Sequence, residues 1–133
     1  MAALPPTRVR QVHDYGLTGP KDGRGDQCDL QSFLNPRLWT EHLVPTFKAW
    51  KAIQEAASPE SKLVLSETAT AADGGCPGLS NSFAAGFYFV DVLGMAGEMG
   101  FHQVYRQDLV GFSGVNGGSS YPLAGEPGWF NAT

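Results

Sequence analysis

The strongest constraint on this chain is an alternation of two apolar patterns. Short runs that suit buried strands alternate with longer segments in which apolar residues recur every three or four positions. Arg8-Val9-Arg10-Gln11-Val12-His13 reads as a short strand ending in polar groups. Asn35-Pro36 then opens a helix, with Asn as cap and Pro pre-set for the first helical position. Trp39, Leu43, Phe47, Trp50, Ile53 and Ala57 form its apolar stripe. Pro45 lies inside it and is expected to kink it, and Ser58-Pro59 ends it. Lys62-Leu63-Val64-Leu65-Ser66 is a second strand, followed at once by Glu67. Ser80, Asn81 and Ser82 offer caps for a second helix, roughly Ser82 to Met99. Its main stripe is Phe83, Phe87, Val90 and Leu93, but Phe89 and Val92 widen the apolar surface, which predicts burial on more than one side. Phe101-His102-Gln103-Val104-Tyr105 is a third strand, ending in Arg106-Gln107.

Strand, helix, strand, helix, strand implies a parallel sheet with right-handed crossovers. Two α/β architectures fit: a small doubly wound sheet, or part of a (β/α)8 barrel. A complete barrel takes about 250 residues, and 133 residues supply three of its strands. In both architectures ligands bind at the carboxyl ends of the strands. That edge carries His13, Glu67 and Arg106-Gln107. A carboxylate directly after a buried strand is held on a rigid element, as a nucleophile or general acid must be. The plainer alternative is a Glu that caps or ion-pairs a neighbouring loop.

Composition removes several functions. Nine basic against 13 acidic residues give a net charge of -4 with no basic tract, so no nucleic-acid partner is expected. No apolar run approaches the ~20 residues that span a bilayer. Met1-Ala-Ala-Leu-Pro-Pro lacks the basic and apolar regions of a signal peptide. Gly74-Gly75 lies between strand and helix, where glycine loops often cradle phosphate. With no Gly-x-Gly-x-x-Gly and no Gly-Lys-Ser/Thr, however, nucleotide binding is not expected. Two other readings of this loop stay open: a plain turn, or backbone N–H groups that bind a ligand carboxylate. His13, His42 and His102 form no metal cluster, and the latter two read as structural. No Gly-x-Ser-x-Gly elbow supports a serine triad. Cys28 and Cys76 match no zinc or redox spacing, and two free thiols are preferred to a disulfide. Asn131-Ala132-Thr133 fits the N-glycosylation pattern, a single weak pointer to export. Neither a metal nor a cofactor is expected.

Several blocks are more specific. Lys62-Leu-Val-Leu-Ser-Glu-Thr68 is followed by a glycine-rich loop and then by Leu79-Ser-Asn-Ser-Phe-Ala-Ala-Gly-Phe87. With Phe33-Leu-Asn-Pro36 before them and Arg106-Gln107 after, these blocks resemble the heparanase-like glycoside hydrolases of family 79. The resemblance runs from about Val9 to at least Gly111. It implies that residues 1–133 are one partial catalytic domain, the C-terminal part (about strands six to eight) of a (β/α)8 barrel that cleaves β-linked glucuronides by a retaining mechanism. By the same resemblance Glu67 is the nucleophile. His13 and Tyr15 are polar substrate-binding positions. Gly74 and, less directly, Gly75 offer backbone contacts to the uronate carboxylate, Tyr121 matches a tyrosine that also touches that carboxylate, and Gln107 contacts the sugar. The implied partner is a glucuronic-acid-containing glycan such as heparan sulfate or arabinogalactan. The implied setting is extracellular, lysosomal, or peripheral to a membrane or matrix.

Two departures limit this reading. Family members commonly carry a tyrosine and a further glycine where this chain has Ala72 and Asp73. An anionic Asp73 beside a carboxylate-binding loop repels its ligand unless it points away. Retaining hydrolysis also needs a second carboxyl about 5–5.5 Å from the first. The Asn-Glu-Pro motif that supplies it in the family is absent from these residues. The chain alone is therefore expected to be inactive, and a non-catalytic glycan- or partner-binding relative is the alternative. Lys21 and Arg24, the basic residues of the loop after the first strand, read as solvated charge rather than as a sulfate site.

Overall fold

A computed structural model describes residues 8–19 and 27–107. Three strands and three helices follow in the order β1 (Val9–His13), α1 (Leu30–Phe33), α2 (Pro36–Ala57), β2 (Lys62–Thr68), α3 (Ala84–Glu98) and β3 (Gln103–Arg106). The sheet is parallel throughout, in the order β1-β2-β3. The expected alternation is therefore present, with one added helical turn, α1. Asp29 caps that turn, its carboxylate accepting from Ser32 N at 2.9 Å.

β2 is the central strand, and its Leu63, Val64 and Leu65 are all buried. This is why it reads as a continuous apolar run rather than an alternation. Its pairing is not uniform. Val12 pairs with Leu65, but His13 pairs with Glu67; on the other side Leu65 pairs with Val104 and Thr68 with Arg106. Both neighbours thus see one extra residue in β2 after Leu65. Such a bulge bends a strand and re-aims the side chains beyond it. The Ser66 hydroxyl donates to Val12 O at 3.3 Å across this irregularity.

The core lies between this sheet and the helices. α2 begins as its sequence predicts, with Asn35 Oδ1 accepting from Arg37 N at 3.2 Å and Pro36 at the first position. It runs as one element through Pro45 to Ala57. Trp39, Leu43 and Phe47 are buried as expected, and Phe47 packs on Phe101 with centroids 4.8 Å apart. The second half of the stripe is not buried as read. Trp50 and Ile53 are exposed, and Gln54 is buried instead. Its amide donates to the carbonyls of Ser58, Pro59 and Ser61, at 3.2, 3.1 and 2.8 Å. These bonds offset the cost of burying the amide and tie down the turn into β2.

α3 corrects the sequence reading more sharply. Its buried face is Ala85, Tyr88, Val92, Met95 and Ala96. Phe83, Phe87, Val90 and Leu93 are exposed, Phe83 by as much as 85%. The buried face mixes two alanines, Ala85 and Ala96, with the larger Tyr88, Val92 and Met95, and Tyr88 packs edge-on against Trp39 of α2. One face is buried rather than several. The exposed side borders an open groove of about 520 Å³, lined by Phe33, Leu34, Pro36, Trp39, Phe87 and Val90 among others. None of the proposed serine or asparagine caps holds the start of α3. Ser80 Oγ instead accepts from Cys76 N at 2.8 Å, and Asn81 Oδ1 from Gly78 N at 2.8 Å.

Cys28 and Cys76 form a disulfide, with Cα atoms 5.2 Å apart. The preference for free thiols is therefore overturned. Their separation of 48 positions hid the pairing, because spacing along a chain carries no information on proximity across two loops. Tyr121 and Asn131, like Lys21 and Arg24, lie outside the described residues. Among the described residues, no helix is long and apolar enough to cross a membrane.

Candidate active site

Glu67 stands at the carboxyl end of the central strand, its side chain about one third exposed (33%). The bulge in β2 sets it beside His13, its partner on β1. The Tyr15 hydroxyl donates to Glu67 Oε1 at 2.5 Å. His13 Nδ1 lies 3.6 Å from Glu67 Oε2. The two carboxylate oxygens therefore face different partners, a phenol on one and an imidazole on the other. A carboxylate steered in this way has restricted rotation, which favours attack along one direction.

The backbone past β1 holds these partners in place. Asp14 N donates to Glu67 O at 3.2 Å, continuing the ladder one residue beyond the strand. Gly16 N donates to the Tyr88 hydroxyl at 2.8 Å. Tyr88 is fully buried and packs edge-on against Trp39, with centroids 5.2 Å apart. Burial pushes its phenol well above the usual tyrosine range, Asp14 adds to that, and the Gly16 amide opposes it. Trp39 Nε1 in turn donates to Asp91 Oδ2 at 2.7 Å. Leu17 then pairs with the chain after β2: Leu17 N donates to Thr70 O at 3.0 Å, and Ala72 N to Leu17 O at 3.1 Å. The loops after β1 and β2 are thus sewn together beside the carboxylate.

The glycine-rich loop is built from this seam. Asp73, Gly74 and Gly75 all have positive φ, at 59°, 95° and 79°. Asp73 is one of the few side chains that tolerate this region, and glycine adopts it without strain. Gly75 N reaches Ala72 O at 3.5 Å, closing a turn. The disulfide fastens Cys76, the next residue, to the segment before α1. Gln107 N donates to Thr68 O at 2.8 Å, which puts Gln107 just past β3 on the same edge as Glu67. His13, Tyr15 and Glu67 are brought into contact, and Gln107 shares their edge. Gly74 and Gly75 form a turn after the same strand.

Sequence reasoning misses two polar groups here. It gives Asp14 no role, and it reads His42 as a structural residue of the helix. His42 Nε2 lies 2.9 Å from Asp14 Oδ1, within a residue of Tyr15. The one signal in the sequence is the placement of His42 on the second turn of a helix that returns beside the end of β1. Among the described residues no cluster of His, Cys, Asp and Glu is arranged to hold a metal.

The fold and site define an α/β unit of parallel strands with a steered carboxylate at the strand edge, compatible with a segment of a (β/α)8 barrel. No family model matches the chain. It is 41% identical over 81 residues to heparanase of Bos taurus, covering 61% of the chain and 15% of that relative. It is 38% identical over 99 residues to heparanase of Mus musculus, covering 74% of the chain and 17% of the relative. With heparanase of Gallus gallus the figures are 36% over 95 residues, 71% and 17%. The chain is heparanase-like, related to a segment of those proteins that spans only about 15–17% of their length.

Proposed function

We propose that this chain is the strand-six-to-eight part of a retaining glycosidase that cleaves β-linked glucuronide bonds, with Glu67 as nucleophile. Glu67 attacks the anomeric carbon, and the glycosidic bond breaks as a carboxyl outside these residues protonates the leaving oxygen. Water then releases the sugar. The observation that carries this reading is the pair of contacts on Glu67, from Tyr15 at 2.5 Å and His13 at 3.6 Å, at the carboxyl edge of a parallel sheet. In this role Tyr15 orients the carboxylate before attack, and His13 and Gln107 flank the sugar. The turn at Gly74 and Gly75 faces the uronate carboxylate. The heparanase relatives favour heparan sulfate as the substrate class.

The disulfide supports an extracellular or lysosomal setting, since such bonds persist in oxidising compartments. Alone, the 133-residue chain is inactive, because it carries the nucleophile without the family's acid/base motif. The test has two arms. The transcript upstream of Met1 is expected to encode, in frame, a strand ending in Asn-Glu-Pro. In that longer polypeptide, Glu67→Gln lowers turnover of an aryl β-glucuronide by about 10⁴-fold or more. Undiminished turnover in that variant would remove Glu67 from the mechanism. Turnover by the purified short chain, abolished by Glu67→Gln, would refute its inactivity alone.

One observation favours a second reading, a glycan-binding relative that does not cleave. Asp73 holds a negative charge in the loop that would face an anionic sugar. On this reading a glucuronide oligosaccharide binds the unaltered chain and the Glu67→Gln variant equally well, and no longer product hydrolyses it.

A further inference from the structure

The strand edge carries one more carboxylate than the proposed chemistry uses. Asp14 lies between His13 and Tyr15, with its side chain only 13% exposed. A carboxylate this far from water needs donors. Its Oδ1 accepts two: the backbone N–H of Tyr15 at 2.8 Å and His42 Nε2 at 2.9 Å. A carboxylate oxygen accepts only, so the second bond puts a proton on His42 Nε2. Its own backbone N–H donates to Glu67 O at 3.2 Å. Asp14 is therefore tied to Glu67 through the main chain, to Tyr15 through that residue's backbone N–H, and to α2 through His42.

Tyr15 depends on these ties. It lies past the last residue of β1, between the last ladder bond, at Asp14 N, and the bond from Gly16 N to the Tyr88 hydroxyl. Its hydroxyl must nevertheless meet Glu67 Oε1 at 2.5 Å. A phenol has a long lever arm, so a small rotation of the Tyr15 backbone moves the hydroxyl out of hydrogen-bond reach. The Asp14 carboxylate removes that freedom, and His42 removes the freedom of the carboxylate. His42 is itself well anchored, in the second turn of α2, with its carbonyl accepting from Thr46 Oγ1 at 2.8 Å.

We propose that Asp14 and His42 are positioning residues, a pair that locks the Tyr15 backbone to α2 and so holds the Tyr15 hydroxyl on the Glu67 carboxylate. This rests on the reading of Glu67 and Tyr15 as the centre of the site. Neither residue touches the reacting atoms. Their effect passes through Tyr15, and the hydrogen bond between Tyr15 and Glu67 is the quantity that reports it.

The test is nuclear magnetic resonance of the full chain with its tyrosine Cζ atoms labelled with carbon-13. Tyr15→Phe assigns the Tyr15 signal, and Glu67→Gln shows where it falls when the carboxylate is lost. Asp14→Ala and His42→Phe are each expected to move it towards the Glu67→Gln position. His42→Gln restores an N–H donor and is expected to return it towards wild type. The Tyr15 amide is expected to exchange about tenfold faster in Asp14→Ala, having lost a charge-assisted bond. The Tyr88 signal is the internal control, since its bond to Gly16 reports the fold of the same loop. If Asp14→Ala also displaces the Tyr88 signal, the two His42 variants decide alone. A Tyr15 signal that responds to Glu67→Gln but stays in place in His42→Phe sinks the proposal and leaves the site intact. A Tyr15 signal indifferent to Glu67→Gln sinks both.

Discussion

Gly16 shows how little room the site leaves at the scale of one residue. A Cβ at this position would lie 2.6 Å from Trp39 Cβ and 2.7 Å from the Tyr88 hydroxyl. Gly16→Ala therefore forces apart the buried pair that supports the end of β1. The expected cost is about 1–3 kcal/mol, measured as a fall in the urea midpoint at unchanged slope. Tyr88 makes a separate prediction in pH. Its folded pKa is raised above the unfolded value, so the unfolded chain gives up the proton first as pH rises. The stability this contributes is complete below about pH 10 and declines above it. Denaturation midpoints from pH 8 to 11 should show that decline, and Tyr88→Phe should flatten it. A single sequence does not mark Gly16 as special, because the two rings that crowd it belong to residues far along the chain, on α2 and α3.

Elements are more legible than their faces. All three strands and both long helices follow from periodicity, and the start of α2 follows from Asn35-Pro36. The orientation of α3 does not. Its phenylalanines suggest one face, but the buried face is Ala85, Tyr88, Val92, Met95 and Ala96, set by partners such as Trp39 that lie far along the chain. The two alternatives separate experimentally. Phe87→Ser, on the exposed side, is expected to change stability by less than about 0.5 kcal/mol, and Met95→Ala, on the buried side, to cost about 2 kcal/mol or more. Equal losses would mean that α3 buries both faces in solution. Gln54 is illegible for a related reason. A polar side chain in an apolar stripe reads as an exposed position, and nothing local in the sequence announces the three carbonyls that receive its amide.

At the scale of the molecule, the strand-edge logic is enough to put Glu67, His13 and Gln107 together from sequence. What it does not supply is the linkage between loops. The Cys28–Cys76 bond joins segments 48 residues apart, and it holds the glycine turn against the segment entering α1. Reduction, or Cys76→Ser, is expected to cost about 2–4 kcal/mol of stability. Thiol titration of the native chain should find both cysteines oxidised, and chemical denaturation with and without reductant should give the difference. A reductant-insensitive midpoint would mean that the bond contributes nothing to the fold.

The extra residue in β2 has a consequence in arithmetic. Side chains along a strand alternate with period two, so everything after Leu65 is half a period out of phase with the residues before it. Glu67 therefore carries a parity set by a single insertion, not by the strand's apolar code. Substituting Ser66 leaves that parity alone, whereas deleting it reverses the parity and turns the carboxylate towards the opposite side of the sheet. In a mutational scan, this short stretch should tolerate changes of letter far better than changes of length.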